Sequence, residues 1–436
     1  MTMERIRELV TATIRDGRED LIALLQAMIR TPSVNPALDP GSAGEGAMAG
    51  LVEEYYRKLG IPVQRIEAVP GRPNLIATWK GSGGSPKLLV NCHLDTVAAD
   101  VTAWVDPVGG QTLREWTTDP FGGELRDGRI YGRGAADHKS PIAAMLFALK
   151  ALKEHDARLT GDVTIIHDAD EETGGRHGMK HLSECLPFDY DMALYACSSE
   201  FTPLGRKFFS AMGADNIIRS FSGWQTYQIR IEGQNLHNLT PKRGYGAAEA
   251  ALALLDGLKP LINQVNAYID PLEGSGQPAM RISGIECAPR RALHHQAPWC
   301  DLVINRRIPP SVDRERAAAE LQNVIDEHNA AFPDNRARLT VTQDLPPMET
   351  PEHHPVVQGL SRAVRSVVGR EPVIAGLPAP VGISTLLARH PMPTVLFGYG
   401  SLNMHHAIDE YIESDALGKM ASVYAVALME WLGVAE

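Results

Sequence analysis

At 436 residues the chain is longer than one compact core usually accommodates, so two domains are expected, each burying its own apolar face. Its 44% hydrophobic and 22% charged composition excludes a disordered chain, and 53 acidic against 42 basic residues, a net charge of -11 without long runs of one sign, speaks against nucleic acid or an anionic membrane as partner. The opening MTMERIRELV has acidic residues in place of an apolar signal core, and no window supplies the ~18 uncharged apolar residues of a membrane span; a cytoplasmic protein is expected.

In chain order, apolar periodicity predicts one amphipathic helix over Arg5 to Ile29 and another over Glu45 to Leu59, then strands over Asn74 to Trp79 and Lys87 to Asn91. The second strand runs into VNCHLDTV, where His93 and Asp95 project to the same side as strand gives way to loop. SPIAAMLFALKALKEH reads as a helix and DVTIIHDAD as a buried strand ending in polar residues. This alternation predicts an α/β catalytic domain, a mixed sheet with helices on both faces.

Near Ser220 the pattern changes. WQTYQIRIEG alternates like a strand with one wet face, GAAEAALALLDGL is helical, CDLVINRRIPP is a strand, DRERAAAELQNVIDEHNAAF a helix and RARLTVTQ a strand. That order predicts a small α+β domain with helices on one face. DLPPMETPEHHP reads as a proline-rich return linker, followed by a helix from Val356, the strand TVLFGYG and a final helix DALGKMASVYAVALMEWLG. The expected division is a first catalytic segment over 1–219, an inserted lid or dimerisation domain over 220–345, and a second catalytic segment over 346–436.

The five cysteines, Cys92, Cys185, Cys197, Cys287 and Cys300, are odd in number, scattered and never spaced C-x-x-C, so buried thiols are expected in place of a disulfide framework or zinc knuckle. Acidic and histidine clusters recur instead where strand patterns end: His93 and Asp95, Asp137 in YGRGAADHKS, Glu171 and Glu172 in HDADEETGG, Glu200 after MALYACSS, and His405 and His406 in GYGSLNMHHAIDE. Singly, such a residue is more often a turn or cap. Together, imidazoles and carboxylates are the donors that Zn²⁺, Mn²⁺ or Co²⁺ accept, and ligands distant in sequence converge if all sit on one edge of one sheet. No G-x-S-x-G elbow, H-E-x-x-H helix or Walker loop is present, and GRGAAD lacks the third glycine of the dinucleotide fingerprint. A metal-activated water is the chemistry these residues favour.

In their order, HLD, YGRGAADHK, DEETGG, Glu200 and HAIDE, with WTTDPF from Trp116, resemble one dinuclear metallohydrolase family that includes acetylornithine deacetylases, succinyl-diaminopimelate desuccinylases, aminoacylases and glutamate-releasing carboxypeptidases. The resemblance implies that His93, Glu200 and Asp137 hold one ion and Asp137, Glu172 and His406 the other, with Asp137 bridging. It implies that Asp95 accepts the second ring N–H of His93, that Glu171 is the general base, and that one or two divalent ions bind per subunit. The spacing H-x-x-D-E selects His406 over His405 as ligand, and neighbouring strand-end glutamates are expected to point apart. GQNLHNLTPKRG resembles the lid motif whose histidine, here His237, reaches across a homodimer to stabilise the oxyanion; Arg307 in NRRIPP matches the lid arginine that grips a substrate carboxylate, with Arg306 facing solvent.

Departures from the family pattern fall where specificity would be set. Glu200 is followed by FTP where a proline usually comes directly, Ile383 stands near the place of an aspartate, Gly246 replaces the lid asparagine, and RRALHHQAPWC is unusual. The leading expectation is hydrolysis of a C–N amide bond in a small carboxylate-bearing molecule such as an N-acyl amino acid or dipeptide. The alternatives are an aminohydrolase that displaces ammonia from an activated aromatic amine (aminobenzoate-like) or amidine carbon, and a non-catalytic binding homologue. Glu171 beside a ligand set speaks against the last.

Overall fold

The computed structural model describes residues 2–100, 115–200, 215–234, 237, 246–268, 278–288 and 294–435. They form two compact units: Met1–Arg219 with Glu349–Ala375 and Thr385–Glu436, and Ser220–Met348 with Gly376–Ser384. The short segment Gly376–Ser384, expected to follow the C-terminal part, groups with the middle of the chain; Leu377 O accepts the backbone N–H of Ser222 at 3.0 Å.

The first unit is built on a mixed sheet. An antiparallel hairpin, Val63–Val69 and Arg72–Trp79, leads into Asp162–Asp168, which runs antiparallel to Arg72–Trp79 and parallel to Lys87–His93; Met192–Ala196 and Thr394–Phe397 continue the parallel series. From Leu88 to His93 and from Asp162 to Asp168 every residue is buried, so both faces are covered, as sheets with helix crossovers require. Helix Lys139–Glu154 buries nearly its whole length, and Ser414–Leu432 packs against it and against Pro355–Val368. The parallel strands therefore end together, and His93 is the last residue of its strand, opposite Asp168.

The single N-terminal helix expected over Arg5 to Ile29 is two, Met3–Asp16 and Arg18–Ile29. They meet at Gly17, where a Cβ would lie 2.8 Å from Phe147 Cζ; close approach of the central helix sets the break, and apolar periodicity on either side conceals it.

The second unit is a four-stranded antiparallel sheet in the order Ala279–Cys287, Trp299–Ile308, Gly223–Glu232, Ala337–Leu345. Tyr227, Ile229 and Ile231 alternate toward helices Ala247–Ala267 and Arg314–Ala331, packing with Leu254, Leu258, Leu321 and Ile325. The edge strand Ala279–Cys287 escaped sequence analysis because a register shift between Ile282 and Gly284 breaks its alternation. Two further expectations are corrected here. Arg306 is not solvated: it shares a face with Leu302 and Ile304, and its guanidinium donates to Ala317 O and Glu320 Oε2, both at 2.8 Å, under the second helix. Cys287 and Cys300 are not free thiols; they stand directly opposite in register, Cα atoms 4.1 Å apart, and are joined as a disulfide, while Cys92 and Cys197 are free and buried as expected and Cys185 is free but exposed.

In the first unit the buried Arg133 guanidinium donates to Glu410 Oε2 at 2.8 Å, with both side chains almost wholly excluded from solvent. Breaking a buried pair by removing one partner costs about 3–5 kcal/mol. Arg133→Met is expected to lower the unfolding free energy by that order, measured by denaturant titration; a loss below ~1 kcal/mol, the range of exposed pairs, would assign the pair no such role.

Candidate metal centre

Two of the loops that carry the site are each tied down by a buried carboxylate: Gly132–Asp137, after the strand Arg129–Tyr131 of a small antiparallel sheet, and the turn after the parallel strand Asp162–Asp168. The loop Gly132–Asp137 is shaped by Glu410, whose Oε2 accepts Gly134 N–H at 3.1 Å and whose Oε1 accepts those of Ala136 and Asp137 at 2.7 and 3.0 Å. Glu410 lies four residues after His406, so one carboxylate fixes both ends of the cluster. Its neighbour Asp409 accepts the backbone N–H and hydroxyl of Thr117, tying in WTTDPF. Neither acid was recognised from sequence; the trailing D-E of H-x-x-D-E was their signal.

Asp95 organises the second loop. Its Oδ1 accepts Glu171 N–H at 3.0 Å, its Oδ2 accepts Glu172 N–H at 3.1 Å, and Asn35 Nδ2 donates to Oδ2 at 2.7 Å. His93 Nδ1 faces the Asp95 carbonyl oxygen at 3.0 Å and Oδ1 at 3.4 Å, so residue 95 orients the ring mainly through its backbone. Glu171 and Glu172 sit on a 3₁₀ turn, Glu171–Thr173, and their separation comes from that turn, not from strand alternation. Asp170 before them adopts φ 66° and is held by Arg72 Nη1 at 2.9 Å and Thr173 Oγ1 at 2.6 Å.

Asp137 is the centre. His93 Nε2 lies 3.3 Å and His138 Nε2 3.2 Å from its Oδ1; His405 Nδ1 and His406 Nε2 each lie 3.1 Å from its Oδ2. His406 Nε2 is also 2.9 Å from Glu172 Oε2, and its backbone is left-handed, φ 60°. Glu171 Oε2 stands 3.8 Å from His93 Nε2, while Tyr195 Oη donates to Glu171 Oε1 at 3.3 Å. Among the described residues, two sets bring ligand atoms within 4.8 Å of one another: His93, Asp137 and His138, and Asp137, Glu172 and His406. The structure thus gathers His93, Asp137, Glu172 and His406, admits both His405 and His406, and adds His138, which sequence analysis overlooked inside its quoted DHK.

Glu200 is not brought to this cluster, contrary to expectation. Its backbone N–H donates to Gly400 O, and its carboxyl is pushed up to about 7 by burial and by Glu413 and Asp215. The strand Met192–Ala196 ends four residues earlier, and Glu200 belongs to neither ligand set. His237 and Arg307 belong to the second unit. His237 bridges His295, with the two rings edge to face at 5.1 Å; it is exposed, and of its motif only Gly233, Gln234 and His237 lie within the described residues. Arg307, alternating with Arg306, lies on the sheet face away from the helices, where burial and the like charge of Arg281 lower it from its ordinary range.

The residues fit a divalent cation. The N–H···O bond to the Asp95 carbonyl requires the proton on His93 Nδ1, which in the neutral ring turns the Nε2 lone pair onto an Asp137 oxygen. That 3.3 Å contact is satisfied by a second ring proton, and against burial Glu171 and Asp137 accordingly raise His93 above its ordinary range, or by a cation in the proton's place, since donors about 2.0–2.2 Å from one ion stand this far apart at near-tetrahedral angles. Every ion-pair partner of Asp137 among the described residues is a histidine, and Glu172 Oε1 is buried without a partner. Burial raises Glu172 to about 7, with Asp137 adding to it, and raises Glu171 with His93 opposing; burial and the charge of His93 hold His138 well below its ordinary range.

The model of peptidase family M20/M25/M40 matches residues 89–430. The chain belongs to that family. As a member of M20/M25/M40 it is a metal-dependent hydrolase of amide bonds. It is 28% identical over 404 residues to an acetylornithine deacetylase of Pectobacterium carotovorum, covering 90% of this chain and 93% of that one. Its fold matches the dipeptidase Dug1p of Saccharomyces cerevisiae, with TM-score 0.68 at 15% identity over 99% of each chain. It also matches the Bacillus subtilis YXEP protein, a dinuclear metal-binding peptidase of the M20 family, with TM-score 0.66 at 14% identity over 97% of this chain and 100% of that one. No helix among the described residues is long and apolar enough to cross a membrane.

An ion bound only to the folded state stabilises it by mass action, about 2.7 kcal/mol at a hundredfold excess over Kd. A chelator is therefore expected to lower the thermal midpoint, and Zn²⁺, Mn²⁺ or Co²⁺ to restore it, whereas Asp137→Ala responds to neither. A wild-type midpoint indifferent to chelator and metal would count against the centre.

Proposed function

We propose that the chain hydrolyses the amide bond of a small carboxylate-bearing substrate, an N-acyl amino acid or a dipeptide, with Glu171 as general base. The observation that carries this is the position of Glu171: it belongs to neither ligand set, its Oε2 stands 3.8 Å from His93 Nε2 of the first, and its Oε1 is engaged by Tyr195. His93, Asp137, Glu172 and His406 would hold the divalent ions, of which imidazole and carboxylate donors favour Zn²⁺, Co²⁺ or Mn²⁺. Divalent ions held there would supply a water acidified toward a pKa of ~7 and would polarise the scissile carbonyl.

Glu171 takes a proton from the water as its oxygen bonds to the carbonyl carbon, then gives that proton to the nitrogen as the C–N bond breaks, so that the nitrogen leaves as an amine and Glu171 returns to its carboxylate form. Tyr195 holds the carboxyl in place, and Asp95 fixes the turn from which it projects. His237 is proposed, on sequence resemblance, to reach a neighbouring subunit of a homodimer and donate to the oxyanion. Arg307 is proposed to grip the substrate carboxylate, an anion whose charge offsets the repulsion from Arg281. The deacetylase and dipeptidase relatives support an acylated amino acid or dipeptide as substrate.

Positioned proton transfer contributes about 10²–10⁴-fold. Glu171→Gln is accordingly expected to lose kcat on that scale with metal content unchanged, assayed on N-acyl amino acids, dipeptides and aminobenzoates with separate detection of carboxylate and ammonia. Unchanged turnover would remove Glu171 from the mechanism, and ammonia in place of a carboxylic acid product would turn the assignment to an aminohydrolase.

A further inference from the structure

We propose that His138, in place of Glu200, completes the ligand set of the ion held by His93 and Asp137; this rests on the metal-dependent reading above. His138 Nε2 and His93 Nε2 converge on the same oxygen, Asp137 Oδ1, at 3.2 and 3.3 Å. Their rings lie side by side, centroids 4.0 Å apart and inclined by 33°, so that both nitrogens open onto one point. All three residues are buried, and their ligand atoms lie within 4.8 Å of one another. A histidine that merely packs has no need to aim a ring nitrogen at a carboxylate oxygen already faced by another imidazole.

Its placement is fixed from both sides. Asp137 N–H is held by Glu410, Lys139 begins the central helix and its Nζ donates to Thr31 O at 3.0 Å, and the His138 ring rests against Tyr195 at 5.2 Å. Glu200 meanwhile lines a separate cavity of about 420 Å³ with Arg18, Arg370, Tyr399, Glu413 and Lys419. No member of either ligand set lines that cavity. The chemical consequence is a site of two imidazoles and one carboxylate in place of one imidazole and two carboxylates. Nitrogen-rich sites favour Zn²⁺ and Co²⁺ over Mn²⁺, while oxygen-rich ones suit Mn²⁺.

The test is metal content and ligand spectroscopy, independent of turnover. Chelated wild-type, His138→Ala, His138→Gln and Glu200→Ala proteins, each verified as folded by circular dichroism, are reloaded with Co²⁺, and ions per chain are counted and visible absorption recorded. The expected result is that Glu200→Ala matches wild type in stoichiometry and spectrum. Both His138 variants are expected to weaken one ion by tenfold or more and to change its cobalt bands. If Glu200→Ala loses the ion while the His138 variants keep it with unaltered bands, the assignment is overturned and the metal reading stands. If wild type takes up no cobalt, both fall.

Discussion

One carboxylate with four imidazole nitrogens around it is the constraint on which the rest of this structure turns. Asp137 has histidine nitrogens within 3.1 to 3.3 Å of both its oxygens, and Glu171 and Glu172 crowd the same space. Without a cation the carboxylates, against burial, draw protons onto their imidazole neighbours, raising His93 well above its ordinary range and His406 to about 10. A divalent cation takes the place of those protons, so that the same nitrogens and oxygens become its ligands and its binding releases protons.

Holding such a cluster falls to groups that never touch the reacting atoms. Glu410 spends its carboxylate on three backbone N–H groups of the Asp137 loop and on Arg133, joining segments more than 270 residues apart. Asp95 does the same for the Glu171 turn. These bonds tie the loop backbone in place and hold Glu171 beside His93, the arrangement that the proposed mechanism uses. Proximity of that kind is what turns a bound water into an efficient nucleophile.

Much of this was legible in the chain itself. An apolar run that stops at a polar residue marks His93, the last residue of its parallel strand, while Asp137, Glu172 and His406 were legible from the short motifs that hold them, since they lie on loops and a turn beyond the strands. The α/β class and the helix-covered sheet of the second unit follow from periodicity in the same way. What stayed hidden depends on partners far away in sequence. Glu410 reads as an ordinary acid until the backbone of a remote loop is seen to bond it, and His138 reads as the start of a helix. Glu200 sits where local pattern suggests a ligand, yet its surroundings are Glu413 and Asp215 and it joins neither ligand set. Gly17 breaks a helix only because Phe147 lies against it, and Cys287 meets Cys300 only once two strands fall into register.

The central claim, that these imidazoles and carboxylates exist to hold cations around Asp137, is tested most directly by anomalous diffraction from crystals grown with Zn²⁺ and collected above and below its absorption edge. The expected result is anomalous density within about 2.0–2.2 Å of an Asp137 oxygen, with His93 on one side and His406 with Glu172 on the other. Density confined to other parts of the protein, or these side chains found bonded to one another around a metal-free Asp137 at saturating zinc, would contradict it.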